Sequence, residues 1–478
     1  MQLGILHRYR ERSERDRQRE RDFAEDEQTT ADKLHGGDYG TAELPPARTV
    51  DEPTATRALR VMLRLGRGLF VAGAETGSIR DNLVAMAAAW GMDHVQVDIA
   101  GRSVHAQYAP PGARPLTMFT TLPVDDGWNL GNLTRLSQLA DRTIRGRLSV
   151  PEVESELDDI LAGKGGRPLW TSLLGGCLVM AMLSLVIGGT PWAAILAMGA
   201  FVVWAVLTAT LSKAGTPYFF VMAIVAAVLG LLAVGLVSAG LAAPREVASM
   251  LAANLAILLP VLTVVSVSQD AVNGFRSLAA DRTVSIAMTT VAIFTALLAV
   301  ALLAPSLADD FASTSATKLP PIAALPLWAF AAFGCCMMLS APTRVFGFAI
   351  AAAITAGLIQ TGAELGLGMR AGFATFAAAA VLGLIASLAA PLTRVPARSI
   401  LLPAIAGSIL PTPQIYATFV AYSQGRAEAV GQAAALLVVT AAIGLGGALG
   451  TFTGGGLSRW AAARRIARRR AAAAEGVR

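Results

Sequence analysis

An acidic residue at the end of a long apolar run, Asp270, is the strongest candidate in this chain for membrane chemistry. The run reads ANLAILLPVLTVVSVSQDAVNG, with Pro260 ten residues before the acid and Gly274 four residues after it. Arg282 follows the glycine by eight residues. A charged group at the end of a segment long enough to span a bilayer costs free energy, so membrane proteins keep such groups mainly for function. We therefore expect this spaced set to belong to the pathway of a substrate or a proton.

The distance from the proline to the acid bears on which role the acid has. Ten helical residues rise about 15 Å, half the thickness of the hydrocarbon core, so Asp270 would lie near one mouth if Pro260 is near the midplane. Partial loss of water there favours the neutral carboxyl, which a proton carrier requires. The alternatives are a helix cap or a structural ion pair with Arg276 or Arg282. Two neutral polar neighbours, Asn254 and Gln269, are candidates for the same pathway, or for hydrogen bonds between helices.

Prolines interrupt two of the apolar segments. Pro260 lies in the fourth, and the ninth contains Pro403, Pro411 and Pro413 in the stretch LLPAIAGSILPTPQIYATF. A proline frees a backbone carbonyl, which survives at membrane depth only when it is buried in protein or lines a wet cavity. Broken helices can direct their ends at a charged substrate near the midplane, although prolines also kink membrane helices for packing alone. We predict breaks in both segments.

The composition identifies the class of protein. Of the 478 residues 54% are hydrophobic and the mean hydropathy is +0.56, and about ten apolar segments long enough to span a bilayer lie between residues 169 and 457. The net charge of +6 arises from the tails and short connections, without the basic face that binds nucleic acid. The three cysteines lie in apolar segments and are expected to be buried without disulfide or metal. We expect no metal and no cofactor.

The chain divides into five predicted parts. Residues 1–53 form a charged, disordered tail, and residues 54–168 form a small α+β domain with the order α-α-β-β-β-α-α. The first membrane half covers 169–305 with five helices, the second covers 306–457 with five more, and 458–478 is a basic tail. The fold class is therefore an α-helical polytopic membrane protein with a small soluble domain at its N-terminal end.

The predicted connections carry unequal positive charge. Ten spans put both termini on one side, and that side would hold most of the basic residues, namely Lys213, Arg276, Arg282, Arg344, Arg394, Arg398 and the C-terminal run. The opposite side would hold only Arg245, Lys318, Arg370 and Arg426. Positive charge marks the cytoplasmic side, so both termini are predicted to be cytoplasmic. Five spans per half would orient the halves oppositely, and the repeated Leu-Leu-Pro at 258–260 and 401–403 suggests an inverted repeat.

The soluble domain contains few candidates for chemistry. His94 and His105 lie on adjacent predicted strands with Asp93 and Asp98 nearby, but no metal-ligand spacing, nucleophile elbow or phosphate loop accompanies them. We expect these histidines to be structural. Glu75 at a glycine-rich bend is another polar candidate, with helix capping as its alternative role.

Four features resemble the bacterial threonine/serine exporter family: the segment GLFVAGAETGSIRDNLVAMAAAWGMDHVQVDI, the spacing Pro260…Asp270-x3-Gly274-x7-Arg282, the Pro342/Arg344 pair, and the segment from Pro411 to Tyr416. They occur in the family's order over roughly residues 57–455. The resemblance implies a cytosolic N-terminal domain, about ten spans, and export of threonine and serine driven by protons. The chain departs from the family where Thr412 and Pro413 follow Pro411, since many members have glycine directly after that proline.

The resemblance and the residues together predict a secondary transporter of the bacterial inner membrane and not an enzyme. Its expected partners are threonine or serine, protons and the lipid bilayer, and the sequence leaves open whether it forms a homo-oligomer. Similar split-subunit members export dicarboxylates such as succinate, which is the main alternative. A membrane-anchored hydrolase is a further alternative, but ten spans with internal prolines exceed what an anchor requires. A passive channel would show no dependence on a proton gradient.

Overall fold

The computed structural model describes residue 39 and residues 50–110, 114–123, 127–303, 319–423 and 428–475. The predicted charged tail therefore lies almost wholly outside the described residues, as does most of the predicted connection between the two membrane halves. The chain groups into two compact units. Most of residues 50–164 form the first, while the membrane helices form the second together with Val71–Glu75 and residues 127–135.

The first unit contains helices and a three-stranded sheet in the predicted order. Its elements are α1 (Glu52–Val71), α2 (Thr76–Ala89), β1 (Val95–Ala100), β2 (Ser103–Tyr108), β3 (Leu116–Thr121), α3 (Leu130–Ile144) and α4 (Val150–Leu161), of which α3 begins among residues that group with the second unit. The strands pair antiparallel in the order β1-β2-β3, with Asp98 opposite His105 and His105 opposite Phe119. Helix α1 buries the stripe that includes Leu59, Met62 and Leu69, as expected for an amphipathic helix on a sheet domain.

A capping box begins α4. Both the backbone N–H and the hydroxyl of Ser149 donate to the Glu152 carboxylate, at 2.8 and 2.7 Å, and Pro151 occupies the first turn. These residues satisfy donors that a helix start otherwise leaves free. The hydrogen bond from the Ser149 hydroxyl also lowers the pKa of the Glu152 carboxyl below its ordinary value.

The second unit is built from helices. They are α5 (Leu169–Val186), α6 (Pro191–Lys213), α7 (Tyr218–Ser238), α8 (Pro244–Leu258), α9 (Val261–Val272), α10 (Arg276–Leu303), α11 (Pro321–Met338), α12 (Phe346–Gly366), α13 (Ala371–Thr393), α14 (Arg398–Ser408), α15 (Thr412–Ser423) and α16 (Ala429–Glu475). Within the described ranges nine helical stretches, one of them α8 with α9, are long and apolar enough to cross a membrane. The bent pair of α14 and α15 makes a tenth. The predicted class of helical polytopic membrane protein is confirmed.

Two helices extend beyond their predicted bounds. Helix α10 begins at Arg276, so that Arg282 lies inside the helix and not in a connection, where its charge was predicted to lie. Helix α16 runs on to Glu475 through the predicted basic tail. Hydropathy identifies only the apolar length of a helix, whereas charged residues at a membrane surface are good helix formers and extend it.

The helices of the second half follow the spacing of those of the first. Helix α5 begins at Leu169 and α11 at Pro321, 152 residues later, and α9 begins at Val261 and α15 at Thr412, 151 residues later. The other four helices of the first half also precede their counterparts by 153 to 155 residues. The packing corresponds as well. Helix α8 packs against α5, α6 and α7, and its counterpart α14 packs against α11, α12 and α13.

Small residues allow the closest helix contacts. A Cβ added at Gly175 of α5 would lie 2.5 Å from the Gly334 carbonyl oxygen of α11, and one at Gly334 would lie 2.8 Å from the Gly175 carbonyl oxygen. On α16 the four-residue spacing of Gly446, Gly450 and Gly454 places the three glycines against α13. Such spacing lets membrane helices approach at backbone distance, where van der Waals packing holds them together.

Candidate functional site

The fourth span breaks at Pro260, as predicted. Helix α8 ends at Leu258, where the N–H of Leu259 donates to the Leu255 carbonyl at 2.9 Å, and α9 begins at Val261. Pro260 itself has φ −77° and ψ +50°, which is not helical. The break leaves the last carbonyls of α8 and the first N–H groups of α9 without the helical partners that a continuous span would give them.

The ninth span breaks at Pro411, and the predicted break at Pro403 is wrong. Helix α14 continues through Pro403 to Ser408, and α15 begins at Thr412 with its axis bent by 49° from that of α14. Pro403 lies in the second turn of α14, where it removes only the one hydrogen bond to the carbonyl of Ser399. Pro411 and Pro413 flank Thr412 and together remove two N–H donors within one turn, those that would bond to the carbonyls of Gly407 and Ile409 in a continuous helix. This loss explains why the chain changes direction there.

The two broken spans pack side by side. Helix α8 packs against α15, and α9 contacts α14 through a hydrogen bond from Arg398 to the Ser266 hydroxyl. Because the first segment of each span lies beside the second segment of the other, the spans are antiparallel and their breaks face each other. The C-terminal end of α8 and the N-terminal end of α15 therefore lie close to the same level. These ends carry partial charges of opposite sign.

A tight turn brings Asp270 and Arg282 together. Gly274 adopts φ +88°, and the N–H of Phe275 donates to the Asp270 carbonyl at 2.8 Å. This is the Schellman arrangement that ends a helix at a left-handed glycine. Helix α10 starts at once and runs back along α9, so Arg282 in its second turn reaches the acid near the end of α9.

Asp270 and Arg282 form a buried ion pair. The guanidinium donates through Nη1 to Oδ2 of the carboxylate, and the two residues are only 1% and 3% exposed. Of the two arginines that the sequence offered as partners, Arg276 is exposed at the start of α10. Loss of either charge would leave the other buried without this partner, which is costly.

Gln269 extends this polar cluster toward α16. Its Nε2 donates to the Thr451 hydroxyl at 3.2 Å, while its Oε1 is buried without a hydrogen-bond partner among the described residues. Next to it, the contact between Ser268 of α9 and α16 depends on Gly444, since a Cβ at Gly444 would lie 2.4 Å from the Ser268 hydroxyl oxygen. The α9 face with Ser266, Gln269 and Asp270 is thus packed closely against its neighbours.

Arg398 is a residue of this region that sequence reasoning did not select. It is 4% exposed and donates to the Gly73 carbonyl oxygen at 2.8 Å, in addition to Ser266. Its guanidinium also lies 5.7 Å from the centre of the Trp128 ring, within the range of a cation–π interaction. The sequence shows only an arginine before an apolar run, a pattern that predicts a charge in a connection.

The remaining candidates have structural partners. Asn254 donates to the carbonyls of Ala197 and Met250 at 3.2 and 2.9 Å, so its amide joins α8 to α6. Tyr416 is buried in α15. Glu75 accepts a hydrogen bond from Asn273 at 2.8 Å, at the end of α9 that holds Asp270.

Of the two soluble-domain histidines, His105 lies in β2 as predicted, whereas the predicted strand position of His94 is wrong. His94 immediately precedes β1 and adopts a left-handed φ of +59°. His105 Nε2 lies 2.8 Å from the Ser103 hydroxyl and its ring lies 5.7 Å from the ring of Phe119. His94 Nε2 lies 3.8 Å from the Asp93 carboxylate. In the described part of the chain, no group of three or more His, Cys, Asp or Glu side chains could hold a metal ion.

Comparison with known proteins identifies the family. The family described as "Putative threonine/serine exporter" matches residues 60–304, just over half of the chain. A Mycobacterium tuberculosis protein named "Probable threonine/serine exporter" is 26% identical over 234 residues, which is 49% of this chain and 44% of that protein. The match thus spans less than half of the length of this relative. No solved structure matches. The chain belongs to the threonine/serine exporter family.

Proposed function

We propose that this protein is a secondary transporter that exports threonine and serine from the cytoplasm, with exit of the amino acid coupled to entry of protons. The observation that carries the proposal is the pair of facing helix breaks between α8 and α9 and between α14 and α15. Irregular backbone at membrane depth is stable only where it lies against protein or lines a cavity, and it places helix ends where a polar solute can bind.

The signs of the helix ends favour an amino acid over a dicarboxylate. Helices α8 and α15 pack together, and the carbonyl end of α8 and the N–H end of α15 each lie at the break of their span, so the two ends would complement an ammonium group and a carboxylate. A zwitterion carries both groups on one carbon atom. Succinate carries two carboxylates, one of which would face carbonyl oxygens, so it remains the second candidate.

Asp270 is the proposed proton carrier. Its carboxylate is buried against Arg282, and protonation would neutralise it and release the guanidinium. Such a change alters the packing of α9 against α10, because an uncompensated buried charge must find another partner. The break at Pro260 is at the other end of α9, so the binding site and the proton site are linked by a single short helix.

The charges of the connections support one orientation of the transporter. We propose that both termini are cytoplasmic, which places the end of the bundle with Asp270 and Arg398 at the cytoplasmic side of the inner membrane. The regular spacing and corresponding packing of the two halves support an inverted repeat. In such transporters the two halves rock against each other around a fixed central site.

The test is efflux from cells loaded with labelled threonine, serine or succinate, with and without a protonophore. We expect cells that produce the protein to lose threonine and serine faster than cells without it, and the protonophore to abolish this difference. Accelerated efflux of succinate alone would favour the dicarboxylate alternative. Threonine efflux that persists at the same rate with the protonophore would indicate a passive channel.

A further inference from the structure

The break in the ninth span presents a hydroxyl group at the start of a half-helix. Thr412 is the first residue of α15, which has 12 residues, and it stands between Pro411 and Pro413. Helical side chains tilt toward the N-terminus of their helix, so the side chain of a first residue projects past the helix end. The Thr412 side chain is therefore directed toward the break.

The Thr412 hydroxyl is buried and makes no hydrogen bond within the described residues. The residue is 2% exposed, and its Oγ1 has no hydrogen-bond partner in the described part of the chain. Thr418 on the same helix is also 2% exposed, but its hydroxyl donates to the Gln414 carbonyl at 2.7 Å. The chain bends at the break, so a helical carbonyl four residues earlier does not serve Thr412. Burying a hydroxyl without a hydrogen-bond partner costs free energy, and this cost indicates that a ligand supplies the missing partner.

The same helix end favours an anion. The first N–H groups of a helix lack internal partners and carry a partial positive charge. Their attraction for an anion is strong where water is excluded. At α15 the N–H of Thr412 donates to the Leu410 carbonyl at 2.8 Å, and proline at 413 has no N–H. The Thr412 hydroxyl is thus a main donor at this end, together with the N–H of Gln414.

The counterpart helix lacks this donor. Pro260 directly precedes Val261, the first residue of α9, and Pro411 directly precedes Thr412, the first residue of α15, at the same place in the second half. Val261 is buried, with 3% of its surface exposed, and has a similar shape to threonine. The N-termini of α9 and α15 thus differ in this hydroxyl. Of these two helices, only α15 has a side-chain hydrogen-bond donor at its first residue.

We infer that the Thr412 hydroxyl donates a hydrogen bond to the carboxylate of the transported amino acid, which binds at the N-terminus of α15. This inference rests on the function proposed above and adds the contact by which the substrate is oriented. The ammonium group then faces the carbonyl end of α8. A ligand that lacks the carboxylate loses this contact, whereas changes in the ligand's side chain leave it in place.

The test compares Thr412→Val, which removes the hydroxyl at nearly constant shape, with Thr412→Ser, which keeps it. Thr418→Val is the matched control, because it removes a buried hydroxyl that bonds within the helix. In proteoliposomes we measure the KM and maximal rate for threonine, and inhibition by threoninamide, which has no carboxylate. We expect Thr412→Val to raise KM about tenfold or more, since it loses a hydrogen bond to a charged group. Thr412→Ser and Thr418→Val should change KM less than about threefold.

Inhibition by threoninamide distinguishes the loss of a contact to the substrate's carboxylate from a general loss of substrate binding in the variant. In the wild type threoninamide should inhibit far less than threonine does, and in Thr412→Val this difference should shrink. An unchanged KM in Thr412→Val, or an equal loss for threonine and the amide, would overturn the inference. Should the valine variant fail to reach the membrane, Thr412→Ala gives the same comparison. A wild type that moves no threonine would instead refute the proposed function itself.

Discussion

Removal of one partner of the buried ion pair tests the link between structure and transport. Asp270 and Arg282 are 1% and 3% exposed and in hydrogen-bond contact. Two unit charges at about 4 Å attract by about 4 kcal/mol at an effective dielectric constant of 20. Removing one member of a buried pair costs about 3–5 kcal/mol, because the other charge is then buried without compensation. We therefore expect Asp270→Asn and Arg282→Gln each to lower the unfolding free energy by about 3–5 kcal/mol.

The double variant separates a structural role from a role in coupling. With both charges removed, the loss of unfolding free energy in detergent micelles should be clearly smaller than the sum of the two single losses, because neither charge is left buried alone. Proton-driven efflux should still be absent, because no carboxyl remains to carry the proton. Arg276→Gln is the control, since that arginine is exposed on the same helix. Additive losses in the double variant would refute the ion pair, and normal proton-driven efflux would refute the carrier role.

Two glycines give further predictions of stability. Gly444→Ala should lower the unfolding free energy by about 1–3 kcal/mol through overpacking, because its Cβ would lie 2.4 Å from the Ser268 oxygen. Gly431→Ala on the same helix has nothing within 4 Å, so denaturant titration should show no loss, and a loss equal to that at 444 would contradict the packing. Gly274→Ala should cost about 1–2 kcal/mol, because its φ of +88° is left-handed. Gly274→Asn should cost less, and equal stability of the alanine variant and the wild type would show that the turn is not needed.

The class of fold follows from the sequence because bilayer physics constrains it strongly. A span needs about 20 apolar residues, so ten apolar segments and their prolines predict most of the membrane helices and the break at Pro260. The sequence cannot distinguish a proline that a helix tolerates from one that ends it. Pro403 and Pro411 differ in this respect because of their neighbours, since a second proline follows Pro411 two residues later.

The candidate site is only partly predictable. The spacing of Asp270, Gly274 and Arg282 contains the information for a turn and a returning helix, and an ion pair with Arg282 is among the roles that the sequence predicts for Asp270. Contacts between distant segments contain no such local signal. Arg398 meets Gly73, 325 residues earlier in the chain, and neither its partner nor its burial can be derived from residues close to it in sequence.

The central claim, that amino-acid exit is coupled to proton entry, can be measured with the purified protein. Proteoliposomes are loaded with threonine and a pH-sensitive dye, the membrane potential is clamped, and the pH is equal on both sides at the start. The account predicts that threonine leaving the vesicles acidifies their interior in the wild type and not in Asp270→Asn. Release of threonine by the wild type without any change of internal pH would contradict it.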